Sequence, residues 1–349
     1  VMTLASADLA QGAGEAAEVR LRELAADPRA TAQQQALADG LLGDVLDAQG
    51  RAEEAFAAYH ECNEQLLATY RDRFGAGESA LAYARELIET VRQAPTGAWS
   101  AKPGAPTGEA TGHVFVMGFF RSGGTRLMQA LGERDDVAAL DAGDPLIDAV
   151  RTYARRPQDL IGLAGAGQAE LVKLREAYWA RVAQAGVDPA GKLFIDRQPL
   201  NTLNLPLISK LFPNAKVLFV RRDPRDAVLS SFARRFAMSA PAYQLLTLQG
   251  AADYYDTAMR LAERIGADFP LDQLVVRHEA LVADFEAAAR EACTFLGLDW
   301  AAAMLAAPSA APAGLAAETP GHWRWYAEPM AAVAPTLEPW VNTFGYAST

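Results

Sequence analysis

Apolar positions recur at helical spacing from residue 1 to about 95, where Ala, Leu, Glu and Arg dominate and no run has strand character. The pattern repeats at an offset of 38: Leu4, Ala10, Gln11, Gly12, Glu15 and Ala17 return as Leu42, Ala48, Gln49, Gly50, Glu53 and Ala55. A Gly where one helix ends, then a small Ala where two helices must approach, predicts stacked helix–turn–helix units. From Ala94 to Gly112 the chain is dense in Pro, Gly and small polar residues, which predicts a boundary. Beyond it the period changes. HVFVMGF (113–119), KLFID (192–196), KVLFV (216–220) and QLVVRHE (273–279) are short apolar runs separated by long helical segments. They predict a parallel sheet with crossover helices. The organisation expected is an all-α helical repeat domain over 1–95, a linker over 96–111 and a three-layer α/β domain over 112–349. A second Pro/Ala-rich stretch, 308–320, predicts a loop or lid, and the aromatic HWRWYAEPM after it is expected to pack on the domain.

The length of 349 residues fits two domains, and 51% hydrophobic with 21% charged residues describes a globular chain. A net charge of −11 argues against nucleic-acid or anionic-membrane partners. No apolar run approaches the roughly 20 residues of a membrane span. The first positive charge is Arg20, so no signal-peptide pattern is present, although the chain begins at Val1 partway into a repeat, as a fragment would. Cys62 and Cys293 lie in helical segments, which fits a reducing compartment and a cytoplasmic location. His and Cys are scattered and form no ligand spacing, so no metal is expected. An anionic ligand must then be held by a local cluster of positive charge.

Two segments supply one. The first apolar run feeds directly into Gly118-Phe119-Phe120-Arg121-Ser122-Gly123-Gly124-Thr125, with a helix expected over 126–131. A Gly-rich turn between a strand and a helix aims backbone N–H groups at one point, which suits a phosphate. The spacing is close to that of the nucleoside-triphosphate loop, but Gly124 stands where that loop carries Lys, and Arg121 offers a fixed charge instead. The second segment, Arg221-Arg222-Asp223-Pro224-Arg225-Asp226, follows the run 216–220. Asp223 is placed to cap a helix with Pro224 in its first turn, and Ser230 lies about two turns on. Arg222 falls at a strand's carboxyl tip, where open α/β sheets bind ligands.

Together these segments resemble the sulfotransferases that use 3′-phosphoadenosine-5′-phosphosulfate, and most of all the bacterial group with an N-terminal tetratricopeptide region and the related tyrosylprotein sulfotransferases. That family's Pro-Arg-Ser-Gly-Thr-Thr loop is matched by Phe120-Arg121-Ser122-Gly123-Gly124-Thr125, and its Arg and Ser eight residues apart by Arg222 and Ser230. The Asp-Lys-x-Pro-x-Asn segment is matched by Asp196-Arg197-Gln198-Pro199-Leu200-Asn201. The Arg-Tyr-Glu-Asp-Leu strand end is matched by Arg277-His278-Glu279-Ala280-Leu281, and the late Ser-x-Gly-Arg-Trp by Thr319-Pro320-Gly321-His322-Trp323. The likeness spans about 112–330. It implies a P-loop-like sulfotransferase domain behind a tetratricopeptide-like domain. The donor's 5′-phosphosulfate would sit on Arg121, Ser122, Gly123, Gly124 and Thr125, and its 3′-phosphate on Arg222 and Ser230. His278, Thr319, Gly321 and His322 would complete the nucleotide site, with Arg121 and Arg197 near the transferred group and no metal.

The departures are Gly124 for a hydroxyl residue, Arg126 for an apolar one, Arg197 for Lys, His278 for Tyr and His322 for a basic residue. In the tetratricopeptide-bearing and tyrosylprotein groups the general base is a Glu about 21 residues after the loop Arg. That count lands on Ala142, flanked by Asp141 and Asp144. Asp144, in Gly143-Asp144-Pro145-Leu146, is the first choice and Asp141 the second; the competing reading makes Asp144 the cap of a helix beginning at Pro145. The acceptor is a hydroxyl of a peptide tyrosine, a sugar or a small molecule, and the helical region suits a peptide or protein acceptor or homodimer formation. Two rival functions remain: a P-loop nucleoside or nucleotide kinase, which would want Lys at 124, and a non-catalytic helical-repeat binding module with a decayed nucleotide fold.

Overall fold

The computed structural model describes residues 2–10, 12–75, 79–101, 110–141, 143–306 and 319–347. Half of the expected linker, 102–109, and most of the expected loop, 308–318, lie outside the described residues. The chain forms two compact units: Val1–Ala82 with Asp223–Asp256 and Ala310–Thr349, and Tyr83–Arg222 with Thr257–Ser309.

The first, helical unit opens with helices Met2–Ala10, Gly14–Ala25, Ala32–Ala48 and Ala52–Tyr70. The turn glycines Gly12 and Gly50 share φ 77°, and the alanines five residues on, Ala17 and Ala55, are both fully buried. Thr31 and Gln34 form a reciprocal capping box that starts the third helix. Gly43 lets that helix close on the fourth, since a Cβ there would lie 2.5 Å from the Tyr59 ring. Helix Pro224–Ala233 belongs to this unit; Asp223 caps it, accepting from Arg225 N at 2.9 Å, with Pro224 in the first turn. Arg235 donates to Gly40 O and pairs with Asp44, and Asn63 donates to Phe232 O.

The second, sheet unit carries β1 (Gly112–Gly118), β2 (Val137–Leu140), β3 (Leu193–Arg197), β4 (Lys216–Arg221) and β5 (Asp272–Arg277). All pairs are parallel, in the order β2-β3-β1-β4-β5. The alternation of side chains builds the layers. Val114 and Val116 of β1 join Ile195, Leu218 and Val220 in one core with Leu127, Met128 and Leu131 of helix Thr125–Gly132. Phe115 and Phe194 face the other way, among His113, Tyr178, Trp179 and Phe212. Helices therefore cover both faces of the sheet, a three-layer α/β arrangement. Strand β2 has no counterpart in the sequence reading: Val137-Ala138-Ala139-Leu140 is four residues long and half alanine. Among the described residues no helix is long and apolar enough to cross a membrane.

Candidate active site at the carboxyl ends of the strands

With every strand parallel, the carboxyl ends share one edge, and β1 at the centre meets β3 on one side and β4 on the other. The last residue of β1 is glycine because a Cβ at position 118 would lie 2.3 Å from Val220 O. The turn that follows is held from inside: Phe119 N donates to Ser122 Oγ at 3.3 Å. Arg121 has φ 58°, the one positive value at a non-glycine among the described residues. Such a conformation costs about 1–3 kcal/mol and is kept where surrounding structure fixes it. Gly123, φ 87°, passes so close to His278 that a Cβ would lie 2.1 Å from Nδ1. At Gly124 a Cβ would lie 2.9 Å from Val220 Cγ2, so the valine at the tip of β4 fills the space a hydroxyl residue would need. Gly124 caps helix Thr125–Gly132 without a side-chain acceptor. The first-turn N–H groups and the helix dipole thus point toward the turn.

Cations converge on this turn. Arg222 is 1% exposed and donates from Nη1 to Arg121 O at 3.2 Å, which folds it onto the loop. Arg197 donates to Thr125 Oγ1 at 3.1 Å and pairs with Asp141. His278 begins the helix His278–Ala283 and is 3% exposed. Arg126 stands apart: its guanidinium lies over the Phe285 ring at 3.9 Å, an aromatic seat that accounts for a charge where an apolar residue was expected. Arg121, Ser122, Gly123, Gly124, Thr125, Arg197, Arg222 and His278 thus share one place. Among the described residues no group of three or more His, Cys, Asp or Glu is arranged to hold a metal ion.

The two candidate bases differ in their surroundings. Asp141 is tied to Arg197. Asp144 is exposed by area, yet enough protein crowds its carboxyl that desolvation raises it above the ordinary range, with Arg181 and Arg151 opposing and Asp148 adding to the rise. It does not cap a helix: the helix after it is Ile147–Tyr153, with Leu146 at the cap position and Pro145 outside. Sequence reasoning missed a third carboxyl. Asp196 is 1% exposed, and burial pushes it up to about 7 against the Tyr178 hydrogen bond, with the Asp144 charge adding to the rise. A lone acid closing the apolar run KLFID was the available signal.

Ser230, Thr319, Gly321 and His322 belong to the helical unit. Ser230 is 2% exposed on helix Pro224–Ala233. Asp226 accepts from Gly321 N at 2.6 Å and Trp323 N at 2.8 Å, which shapes the turn into 322–326. His322 Nε2 lies 2.7 Å from Asp47 Oδ1, so its ring is engaged by a carboxylate.

Residues 113–302, just over half of the chain, match the sequence profile of a family described as the sulfotransferase family. A protein of Aquifex aeolicus (strain VF5) described as uncharacterized is 26% identical over 230 residues; the match covers 62% of this chain and 28% of that one. The sulfotransferase domain of the Synechococcus PCC 7002 olefin synthase is similar at 21% identity, over 72% of this chain and 99% of that one, with a TM-score of 0.46. A sulfotransferase of Mycobacterium avium is similar at 15% identity, over 94% and 96% of the two chains, with a TM-score of 0.41.

Proposed function

Since the chain belongs to the sulfotransferase family, we propose that it moves a sulfuryl group from 3′-phosphoadenosine-5′-phosphosulfate to a hydroxyl acceptor by in-line displacement. The observation that carries this reading is the turn Arg121–Thr125, held in a strained shape at a helix N-terminus with buried Arg222 folded onto it. The fit is good on its own terms. Gly123 and Gly124 leave backbone where any side chain would collide, and the cations gather in a chain whose net charge is −11.

The donor, when bound, supplies an activated sulfuryl group and a nucleotide leaving group. Residues Arg121 to Thr125 hold its 5′ end through backbone N–H groups, and Arg222 holds the 3′-phosphate. Arg197 and Arg121 neutralise charge that grows on the departing 5′-phosphate oxygen, the effect that dominates such transfers. Asp144 takes the acceptor's proton as its oxygen bonds to sulfur and the sulfur–oxygen bond to the nucleotide breaks. Asp141 is less suited because Arg197 holds it. Ser230, Thr319, Gly321 and His322 lie in the helical unit, and their part in donor binding rests on the sequence resemblance. A peptide or protein acceptor suits the repeated helices, which resemble tetratricopeptide units.

Thermal shift separates the alternatives. Stabilisation by 3′-phosphoadenosine-5′-phosphate but not ATP supports the reading; stabilisation by ATP alone indicates a kinase, and by neither a binding module. Asp144→Asn should lower turnover about 10²–10⁴-fold and leave nucleotide affinity unchanged. If Asp144→Asn keeps full turnover, Asp144 is not the base.

A further inference from the structure

Asp144 stands on the short segment that joins β2 to helix Ile147–Tyr153 and belongs to neither element. The segment bends at Gly143, whose φ of 144° is rare for a residue with a side chain. An aspartate lies on each side of Asp144, and each is paired with an arginine of another element. Asp141, before it, pairs with Arg197 at the end of β3, which also donates to Thr125 Oγ1 of the Gly-rich turn at 3.1 Å. Asp148, after it, takes both arms of Arg181: Nε donates to Oδ2 at 2.5 Å and Nη2 to Oδ1 at 2.9 Å. Arg181 belongs to helix Gln168–Gln184, which is fixed to the sheet one turn earlier. There Tyr178, 1% exposed, donates to Asp196 Oδ2 of β3 at 2.7 Å and lies 2.9 Å from His113 Nε2 of β1.

Two parallel N–H···O bonds set the angle between partners as well as their distance, which a lysine cannot do. Neither helix needs the other's charge. Asp148 lies in the first turn of its helix and Arg181 in the last turn of its own, each at the end that favours its sign. With both side chains 35% exposed, the pair adds little to stability. What the fork adds is a fixed separation between the start of one helix and the end of the other. Ile147 N donates to Asp144 O at 3.1 Å, so Asp144 is one turn from the clamped carboxylate. Arg151 lies 4.0 Å from Asp148 but belongs to the same helix and cannot tie it down. We propose that Arg181 and Asp148 are a positioning pair for sulfuryl transfer, their fork fixing the segment that presents Asp144 to the acceptor. This rests on Asp144 being the base. Asp141 and Arg197 secure the near end of the same segment, so it is referred to the Gly-rich turn at one end and to a sheet-bound helix at the other.

Two measurements on the full-length chain test this. Arg181→Met keeps an unbranched stem and removes the fork. Amide hydrogen exchange, read by mass spectrometry on peptides spanning 141–153, should rise in Arg181→Met and in Asp148→Asn, with both melting temperatures close to that of the parent. In turnover, with whichever of a tyrosine peptide, a sugar and a phenol is sulfated, kcat should fall about 10–100-fold, the scale of a misplacement of about 1 Å. KM for the donor and Kd for 3′-phosphoadenosine-5′-phosphate should hold. Arg181→Met with Asp148→Asn should cost no more than the worse single change, since either breaks the same fork. In an Asp144→Asn background, Arg181→Met should cost nothing further, because no base is left to place. Unchanged exchange, unchanged kcat or a full further loss in that background overturns the positioning role alone. A fall in kcat that comes with a large fall in melting temperature also overturns it and makes the pair structural. Full turnover by Asp144→Asn overturns the base assignment and the proposal together.

Discussion

Replacing Gly124 with Thr would restore the hydroxyl of the loops this chain resembles, and the structure makes it destabilising. The new Cβ would lie 2.9 Å from Val220 Cγ2, 3.5 Å from Cγ1 and 3.6 Å from Cβ. Val220 cannot yield easily: it is 4% exposed, and β-pairing fixes it to Gly118 of β1 and Val276 of β5. As a helix cap, Thr differs from Gly by only a few tenths of a kcal/mol, so packing decides. Overpacking a filled core costs about 1–3 kcal/mol. Val220→Ala alone removes two methyl groups, worth about 1.6 kcal/mol at ~0.8 each, and leaves some unfilled space, for about 2 kcal/mol in all. In the double variant the space fits the threonine side chain. The two costs should then fall short of their sum by about 1–2 kcal/mol. Urea unfolding of the four proteins, followed by tryptophan fluorescence, measures the coupling. If the costs add to within about 0.5 kcal/mol, Val220 is not what excludes a side chain from position 124.

Arg222→Ala should weaken 3′-phosphoadenosine-5′-phosphate by about 10–100-fold in Kd, a charge-assisted contact being worth roughly 1.5–3 kcal/mol; calorimetry reads it, and an unchanged Kd removes Arg222 from the site. Arg175 is 5% exposed with its Nε lacking a partner among the described residues, and burial lowers its pKa. Arg175→Met, similar in length and apolar, should leave stability unchanged or raise it in a melt, whereas a clear loss would reveal a partner for the guanidinium. Asp196 binds its proton more tightly folded than unfolded, so stability should fall as pH rises from about 4 to the folded value near 7. Asp196→Asn should flatten that dependence and make the protein more stable at pH 7 by an amount of order a few kcal/mol; parallel curves for the two proteins would refute the shift.

The parts of this molecule legible in sequence are those where one local rule decides. The four short apolar runs became strands because a covered parallel sheet suits KVLFV and HVFVMG, and the Gly-rich turn announced itself by composition. β2 was illegible because two alanines carry almost no strand preference; its place is set by pairing with β3. Position 124 looked like a lost hydroxyl until Val220, nearly a hundred residues on, was seen to occupy the space. Asp196 read as one letter of a motif because its character comes from Tyr178 and His113, which only the fold brings to it.

The contact of Asp47 with the late aromatic segment has a temporal meaning. Asp47 is 1% exposed, and its partners His322 and Tyr326 come 275 and 279 residues later. At about 5–20 residues per second of synthesis, roughly 15–55 s pass between the emergence of the acid and of the two groups that bond its Oδ1. Until then Asp47 is better left hydrated than buried. The helix that carries Asp47 therefore completes its burial only after the segment around 322–326 has been made.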